Sequence, residues 1–370
     1  MIKKKLRIAV LGTRGIPGVM GGVESHCEAL YPRLAAKGHH VTLFARRRYV
    51  QDAPYIYQGV KIEPLMSPKK KNLETICYTA HGLLRIAAQK SRFDLLHIHG
   101  IGPSLLMPVA TRMGLKVVMT HHGQNYEHKK WSLAGKKALK LGERIACGKA
   151  DAVIAVSKYV LSILHKIYQR NAIYIPNGVV LPDIIGPGEA LRRYKLTARN
   201  YFLAVGRFVQ EKGFQYLIEA FSRIKTNWKL VIAGKADHPD EYSGSIEAWA
   251  ALDDRVVLTG FIKGCELAEI YSNAGLFVLP SYHEGLPIVI LEAMSYNLPL
   301  LASDIPVNKE LVSKEELFPV GDVNALSLRM AGYIAQPGRR IQSRNKMAAE
   351  FDWDKVAEKT EQVYLDLFNK

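Results

Sequence analysis

Long apolar runs, cysteines and, in the first half of the chain, acidic side chains are all scarce. No apolar run approaches the roughly 20 residues that a helix needs to cross a bilayer, which excludes a helical membrane span. The 4 cysteines, Cys27, Cys77, Cys147 and Cys265, lie far apart and form no CxxC, so a disulfide-built scaffold is excluded and reduced thiols of a cytoplasmic protein are expected. Met1-Ile2-Lys3-Lys4-Lys5 runs directly into LRIAVLG, too short for the core of a signal peptide. Residues 1–180 hold 29 Lys+Arg against 9 Asp+Glu, a balance of +20; residues 181–370 hold 22 against 25, or −3, which together give the net +17. The basic excess therefore sits in one half. It points to an anionic partner for that half, a membrane face or a nucleic acid, with a merely solvated basic surface as the alternative.

Two familiar ligand signatures are also missing. The glycine-rich segment after the first strand is not GxGxxG, and the next strand ends in Ala45-Arg46-Arg47-Arg48 rather than an acid, which argues against a dinucleotide site. No DxD sits at a strand end, and Asp253-Asp254 lacks the spacing of a metal clamp.

What is present is a globular composition, 48% hydrophobic and 23% charged, over 370 residues, enough for two domains. In the first half, strand candidates Arg7–Leu11, His40–Ala45, Val60–Pro64, Leu95–His99, Lys116–Thr120, Ala152–Val156 and Ala172–Ile175 alternate with amphipathic segments. The helical segments are Val23–Lys37, Leu73–Gln89, Leu105–Met113, Leu133–Gly148 and Lys158–Tyr168. Such alternation predicts a doubly wound parallel sheet. Val179–Glu189 reads as a linker, with two prolines and two glycines. A second α/β sheet follows, with strands at Tyr201–Val205, Lys229–Ala233, Val256–Leu258, Leu276–Leu279 and Leu300–Ala302 and a helix at Gly213–Ile224. The expected boundaries are 1–182, 183–350 and a C-terminal amphipathic helix in 351–370, with Trp353, Val356, Val363, Tyr364 and Leu367 as its apolar side.

The most informative stretch is VLPSYHEGLPIVILEAMSYNLPLLASDIP, Val278 to Pro306. It reads strand, loop, helix, strand, with Pro287 expected at the first helical position, where a missing N–H costs nothing. Glu284 lies in the loop and Glu292, eight residues on, in the helix. The loop brings backbone N–H groups and a helix N-terminus to the carboxyl end of a strand, where open α/β sheets bind anions.

This E-x7-E string, with Gly285, Leu286, Pro287 and Pro299 in place, resembles the signature of the family 4 glycosyltransferases, retaining enzymes of GT-B fold. The resemblance implies two Rossmann-like doubly wound domains facing across a cleft, the final helix crossing back to the first domain. It implies that Glu292 holds the ribose of a nucleotide, that Glu284 lies beside the donor sugar, and that Gly285 and Leu286 belong to the donor-binding loop. Gly206-Arg207 and Glu211-Lys212-Gly213 form a GR-x3-EKG string of the same family; Arg207 and Lys212, separated by a loop, converge on one diphosphate and stabilise its growing charge without a metal. An ion pair of Lys212 with Glu211 is the bland alternative. Gly234, in Ala233-Gly234-Lys235, falls where the family lines the base and ribose, and Pro176-Asn177-Gly178-Val179 resembles its domain-junction turn.

Gly12–Glu24, GTRGIPGVMGGVE, resembles the glycine loop of a bacterial surface-polysaccharide subgroup with GTRGIP near its start, which implies that Gly21 and Gly22 face the donor diphosphate. His121-His122-Gly123 ends a strand. His122 is the better match to the family histidine beside the donor sugar, and His121 the alternative. Adjacent histidines at a strand end point apart, and no carboxylate or cysteine accompanies them in the sequence, so zinc is not expected there. His97 and His99 share a strand face; a packing role suits His97, while His99 stays open.

The resemblance implies retaining, metal-independent transfer of a hexosyl-type sugar, with no cofactor, from a nucleotide-sugar, UDP-linked, to a saccharide or lipid-linked acceptor of bacterial surface-polymer synthesis. Lys69-Lys70-Lys71 and the basic helix with Lys129, Lys130, Lys136, Lys137, Lys140 and Arg144, near Trp131 and Leu133, suggest a peripheral contact with the inner face of the cytoplasmic membrane. A nucleotide-sugar 2-epimerase of the same architecture and a basic nucleic-acid-binding protein are the alternatives, although no recognition-helix, zinc-finger or RNA-sheet signature is present.

Overall fold

The structure is a computed structural model of the chain and describes residues 4–68, 71–89, 93–124, 126, 131–338 and 343–369, with only the backbone of 71–73. The chain divides into two compact units. Unit 1 takes the described residues up to Asn177 together with Trp353 onward; unit 2 takes Gly178–Asp352.

Unit 1 contains β1 (Arg7–Leu11), α1 (Gly22–Ala36), β2 (His40–Arg46), β3 (Tyr55–Tyr57), β4 (Val60–Leu65), α2 (Lys71–Ala88), β5 (Leu95–His99), α3 (Met107–Arg112), β6 (Lys116–His121), α4 (Leu133–Lys149), β7 (Ala152–Ala155), α5 (Lys158–Tyr168) and β8 (Ile173–Tyr174). Its eight-stranded sheet runs β3-β4-β2-β1-β5-β6-β7-β8. All ladders are parallel except β3 with β4, an edge hairpin that the apolar pattern does not announce because Tyr55–Tyr57 is short and half exposed. The central strands are buried on both faces, as a helix-covered parallel sheet requires. Alternate residues of β1 sort into two cores. Ile8 and Val10 pack with Cys27, Leu30 and Leu34 of α1, and Ala9 and Leu11 pack with Tyr78, Leu83 and Ile86 of α2.

Unit 2 contains α6 (Glu189–Arg193), β9 (Tyr201–Val205), α7 (Phe214–Ser222), β10 (Lys229–Ala233), α8 (Glu241–Ala250), β11 (Val256–Gly260), α9 (Gly264–Asn273), β12 (Leu276–Leu279), α10 (Ile288–Ser295), β13 (Leu300–Ser303), β14 (Leu317–Phe318), α11 (Val323–Ala335) and α12 (Arg344–Glu350). The six-stranded sheet is wholly parallel, in the order β11-β10-β9-β12-β13-β14. Helices α6, α8, α9, α11 and α12 and strand β14 are additions to the sequence reading. Helix α8 is short and contains Gly244, but a reciprocal capping box between Asp240 and Ser243 starts it firmly.

The chain then returns to unit 1 as α13 (Trp353–Asp366). Trp353, Val356, Val363 and Tyr364 are buried in the core that holds α1. Each fully buried large apolar side chain contributes roughly 1.5–3 kcal/mol, so this helix is a structural part of the unit. Arg33 Nε to Asp354 Oδ1 at 2.7 Å and His39 Nε2 to Glu361 Oε1 at 3.2 Å fix its register.

Both sheets have a point where successive strands stop running one way and start running the other: between β1 and β5 in unit 1, and between β9 and β12 in unit 2. The carboxyl ends of these strand pairs are where ligands bind in open α/β sheets.

Candidate active site

In unit 2 the switch point gathers most of the residues singled out from sequence. The turn after β9 carries Gly206 and Arg207. Gly213 follows at φ 69°, and a β-carbon there would lie 2.2 Å from the Pro280 carbonyl oxygen, so only glycine lets the two loops meet. The backbone bond from Tyr282 N to Glu211 O, 2.8 Å, ties them together. Lys212 Nζ thereby reaches Glu284 Oε1 at 2.6 Å. The partner is Glu284, not the neighbouring Glu211, whose side chain is buried. Arg207 Nη1 bonds Asp237 Oδ2 at 2.9 Å, a partner with no sequence signal. Gly234, at φ 149°, leaves no room for a β-carbon, which would fall 1.9 Å from the Gly206 carbonyl oxygen.

Two helix N-termini complete this edge. Neither α7 nor α10 has a side-chain cap bond. Pro287 is the N-cap of α10, with extended ψ of 106°, and Ile288 is the first helical residue; this corrects the expected position by one. The proline carbonyl still starts the helix, accepting from Ile290 N at 3.1 Å. Gly285 is partly exposed in the loop, and Leu286 is buried beside it. Glu292 lies one turn into α10, where crowding by protein pushes its carboxyl up to about 7, against the opposing bond from Tyr271 OH at 2.9 Å. Tyr271 is in turn stacked on Tyr296, with ring centroids 5.0 Å apart.

In unit 1 the switch point is furnished with rings. Gly12, at φ 103°, ends β1; a β-carbon there would sit 2.2 Å from the His99 carbonyl oxygen. The glycine loop is knitted by its own ions, with Arg14 Nη2 on Glu24 Oε2 at 2.8 Å and Arg14 Nε on Glu24 Oε1 at 3.1 Å. Gly21, at φ 145°, is packed against that pair, whereas a β-carbon on Gly22 would meet open space.

The two adjacent histidines do point apart. His121 Nε2 lies 2.7 Å from Glu143 Oε1 of α4, and Tyr168 and Tyr126 donate to Oε2 of the same carboxylate at 2.7 and 3.1 Å. Burial works to raise the Glu143 carboxyl, yet the His121 ring and the two hydroxyls outweigh it and hold it below the usual range. A carboxylate therefore does accompany the pair, supplied from 22 residues away, and that part of the case against a metal falls. His122 Nε2 faces His99 Nδ1 at 2.9 Å. His99 Nε2 contacts Tyr31 OH at 2.5 Å, and Tyr31 reaches His97 Nδ1 at 3.0 Å. His97 also bonds Thr120 and Tyr364 of α13, the packing role expected of it. His26 of α1, which sequence reasoning missed, joins the cluster with its ring centroid 4.9 Å from that of His122. Asn177, read as a turn residue, places its Oδ1 2.9 Å from His26 Nδ1. Burial holds all four rings neutral, pushing His26 down to about 4 and His97 to about 3, and His99 and His122 well below their usual value.

On α4, Leu133, Lys137, Lys140, Leu141 and Arg144 are all exposed, and their spacing puts them on one face. Lys136 is half buried. Lys69, Lys70, Lys129 and Lys130 lie outside the described residues, as does the side chain of Lys71. Among the described residues no helix is long and apolar enough to cross a membrane, and all four cysteines are free.

Two doubly wound parallel-sheet domains, the second with acid, cations and uncapped helices at its switch point, are the GT-B architecture of glycosyltransferases. Comparison with known proteins agrees. Residues 20–181 match the family described as Glycosyltransferase Family 4, and 191–350 that described as Glycosyl transferases group 1. An uncharacterized glycosyltransferase, MJ1607 of Methanocaldococcus jannaschii, is 30% identical, with 97% of this chain and 98% of that one covered. The UDP-Gal:alpha-D-GlcNAc-diphosphoundecaprenol alpha-1,3-galactosyltransferase of Escherichia coli is 28% identical over 75% of this chain and 77% of its own. Among solved structures, sucrose-phosphate synthase from Thermosynechococcus elongatus superposes with a TM-score of 0.84 at 24% identity, covering 99% of this chain and 100% of that one. The chain belongs to the family 4 glycosyltransferases, and neither the epimerase nor the nucleic-acid reading is favoured.

Proposed function

We propose that this glycosyltransferase is a retaining, hexosyl-type enzyme that moves a sugar from a UDP-sugar to a saccharide or lipid-linked acceptor in bacterial surface-polysaccharide synthesis. The observation that carries the donor half is the Lys212–Glu284 pair at the β9–β12 switch point, flanked by Arg207 and two uncapped helix N-termini. Lysine has three N–H donors and arginine five, so each keeps donors for a diphosphate after its carboxylate bond. Their charges and the α7 N-terminus stabilise the leaving diphosphate. Glu292 takes the ribose hydroxyls, Glu284 lies at the donor sugar, and Gly206, Gly234, Gly285 and Leu286 let the nucleotide approach the backbone. On unit 1, Gly21 and Gly22 are assigned to phosphate binding, and His122 offers a neutral ring nitrogen to a sugar hydroxyl.

The reaction breaks the bond from the anomeric carbon to the phosphate oxygen and forms one to the acceptor oxygen on the same face. The acceptor proton passes to the departing diphosphate, so no separate general base is assigned. The galactosyltransferase of Escherichia coli, whose name gives UDP-Gal and a diphosphoundecaprenol acceptor, supports this substrate class. The exposed basic and apolar face of α4 is assigned to anionic lipid at the cytoplasmic side of the membrane.

Thermal stabilisation by a panel of nucleotide-sugars tests the reading. A true donor at 100 times its Kd adds about 2.7 kcal/mol, and UDP-sugars are expected to lead the panel. Lack of any response to UDP-sugars removes the donor assignment, and inversion at C2 without acceptor restores the epimerase.

A further inference from the structure

We infer that His26, His99 and His122 form a binding site for a borderline-soft divalent cation, zinc above all. One ring nitrogen from each residue lies within 4.8 Å of the others. The three rings come from α1, the last residue of β5 and the residue after β6, so the sheet itself assembles them. This inference stands apart from the proposed glycosyl transfer, because it needs no nucleotide.

A second observation points to a ligand. His26 Nε2 is buried and has no hydrogen-bond partner. Buried polar atoms are nearly always satisfied, and an orphan of this kind needs an occupant. The other nitrogen of the same ring is already committed, donating to Asn177 Oδ1 at 2.9 Å, and this fixes the tautomer with the Nε2 lone pair free. His99 is held the same way. His99 Nε2 lies 2.5 Å from Tyr31 OH, an oxygen anchor for the ring whose Nδ1 faces His122. Metal-bound histidines almost always have their distal N–H anchored by an oxygen like this. In the metal-free site one proton lies between His99 Nδ1 and His122 Nε2, 2.9 Å apart. When the cation binds, that proton moves to the far nitrogen of the ring that carries it, and three neutral imidazoles face the metal.

Zinc–nitrogen bonds of about 2.0–2.1 Å place tetrahedral ligands roughly 3.4 Å apart, so a shift of about 1 Å closes the set. Three nitrogens without a carboxylate select zinc, cobalt or nickel over magnesium, manganese or calcium. His26 and His99 are buried while His122 is partly exposed, so the fourth, open position lies on the His122 side. A cation there occupies the ring assigned to the donor sugar, and zinc is expected to inhibit transfer.

The test uses the full, tag-free chain, stripped with chelator and titrated with Co2+ and then Zn2+. One Co2+ per chain with the d–d bands of a tetrahedral site, displaced by Zn2+, is the expected result. His26→Gln is expected to weaken binding at least tenfold. Asn177→Ala, which removes only the anchor of that ring, weakens it by about tenfold. His40→Gln, an exposed histidine, leaves it unchanged. Circular dichroism checks that each variant folds, and should His26→Gln fail, Asn177→Ala carries the test. Absent d–d bands, or Co2+ affinity equal in wild type and Asn177→Ala, overturns the site. A protein that binds Co2+ but ignores UDP-sugars keeps this inference and loses the donor reading; the converse result does the reverse.

Discussion

At the end of β5, His99 meets other rings; at the end of β12, the matching strand of the second sheet, the chain turns into Glu284 and a lysine. The scaffolds are alike: a parallel sheet whose strand order reverses once, with a glycine at the reversal where the backbones close up. The chemistry differs because the settings differ. Unit 2 keeps its ions at a half-exposed edge, where charge is tolerated and useful against a phosphate. Unit 1 has buried the histidine rings at its switch point, and burial has neutralised them. The two switch points therefore differ in what they present, charged side chains in one and neutral ring nitrogens in the other.

The sharpest break of this comparison removes the charge from unit 2. Arg207→Ala with Lys212→Ala is expected to lower kcat by about a thousandfold or more, since single donors to a developing anion are each worth about a hundred- to thousandfold. The melting temperature should barely move, as both side chains are partly exposed. Normal turnover in steady-state assays would show that the charge of unit 2 is ornamental.

The shared glycine device comes next. Gly12→Ala in unit 1 and Gly213→Ala in unit 2 each drive a β-carbon to 2.2 Å from a carbonyl oxygen at positive φ. Each should cost about 2–4 kcal/mol in chemical denaturation. Gly22→Ala, whose β-carbon would meet nothing within 4 Å, should change stability by less than about 0.5 kcal/mol while lowering turnover. Equal losses at all three positions would mean the switch-point glycines are not special.

A smaller effect separates the units by their surfaces. Replacing Lys137, Lys140 and Arg144 by glutamine should weaken binding to anionic vesicles by about 3 kcal/mol, near a hundredfold, at about 1 kcal/mol per charge. Flotation at low and high salt measures it, and unchanged binding returns α4 to a solvated face.

The same contrast explains what could be read from the chain. The site of unit 2 is built from contiguous strings, GR-x3-EKG and HEGLPIVILE, each confined to one strand end and the helix after it. Local spacing is therefore enough to bring Arg207, Lys212, Glu284 and Glu292 to one edge. The cluster of unit 1 draws single residues from α1, β5, the turn after β6 and the turn after β8. His26 carries no local mark in GGVESHCEAL; only the packing of α1 against the sheet puts it beside His122. Glu143 pairs with His121 by the same non-local route, so no carboxylate stands beside the histidines in the sequence. Strands β1, β5, β9, β10 and β12 were legible to the residue because they are apolar runs with sharp ends, whereas α8 depends on a cap rather than on an apolar stripe.

The last contrast lies within unit 2 and concerns Glu292, a carboxylate that burial pushes toward its neutral form as it does the histidine rings of unit 1. Crowding raises its pKa from the ordinary 4.5 to about 7. The folded protein thus holds a proton that the unfolded chain has lost between those two values, so this residue's stabilisation is present below pH 4.5 and lost as pH rises to about 7. Above pH 7 the ionised carboxylate costs about 2 kcal/mol, a figure reduced for its partial exposure. Glu292→Gln removes that cost. Its melting temperature should exceed wild type at pH 8 and match it near pH 4, as followed by calorimetry. The same variant should bind UDP about tenfold more weakly if the carboxylate meets ribose hydroxyls, because a charged acceptor makes the stronger hydrogen bond. A gain in stability with a loss in affinity marks a group kept for a ligand; a gain in stability with unchanged affinity would make Glu292 a misplaced core residue and remove the ribose assignment.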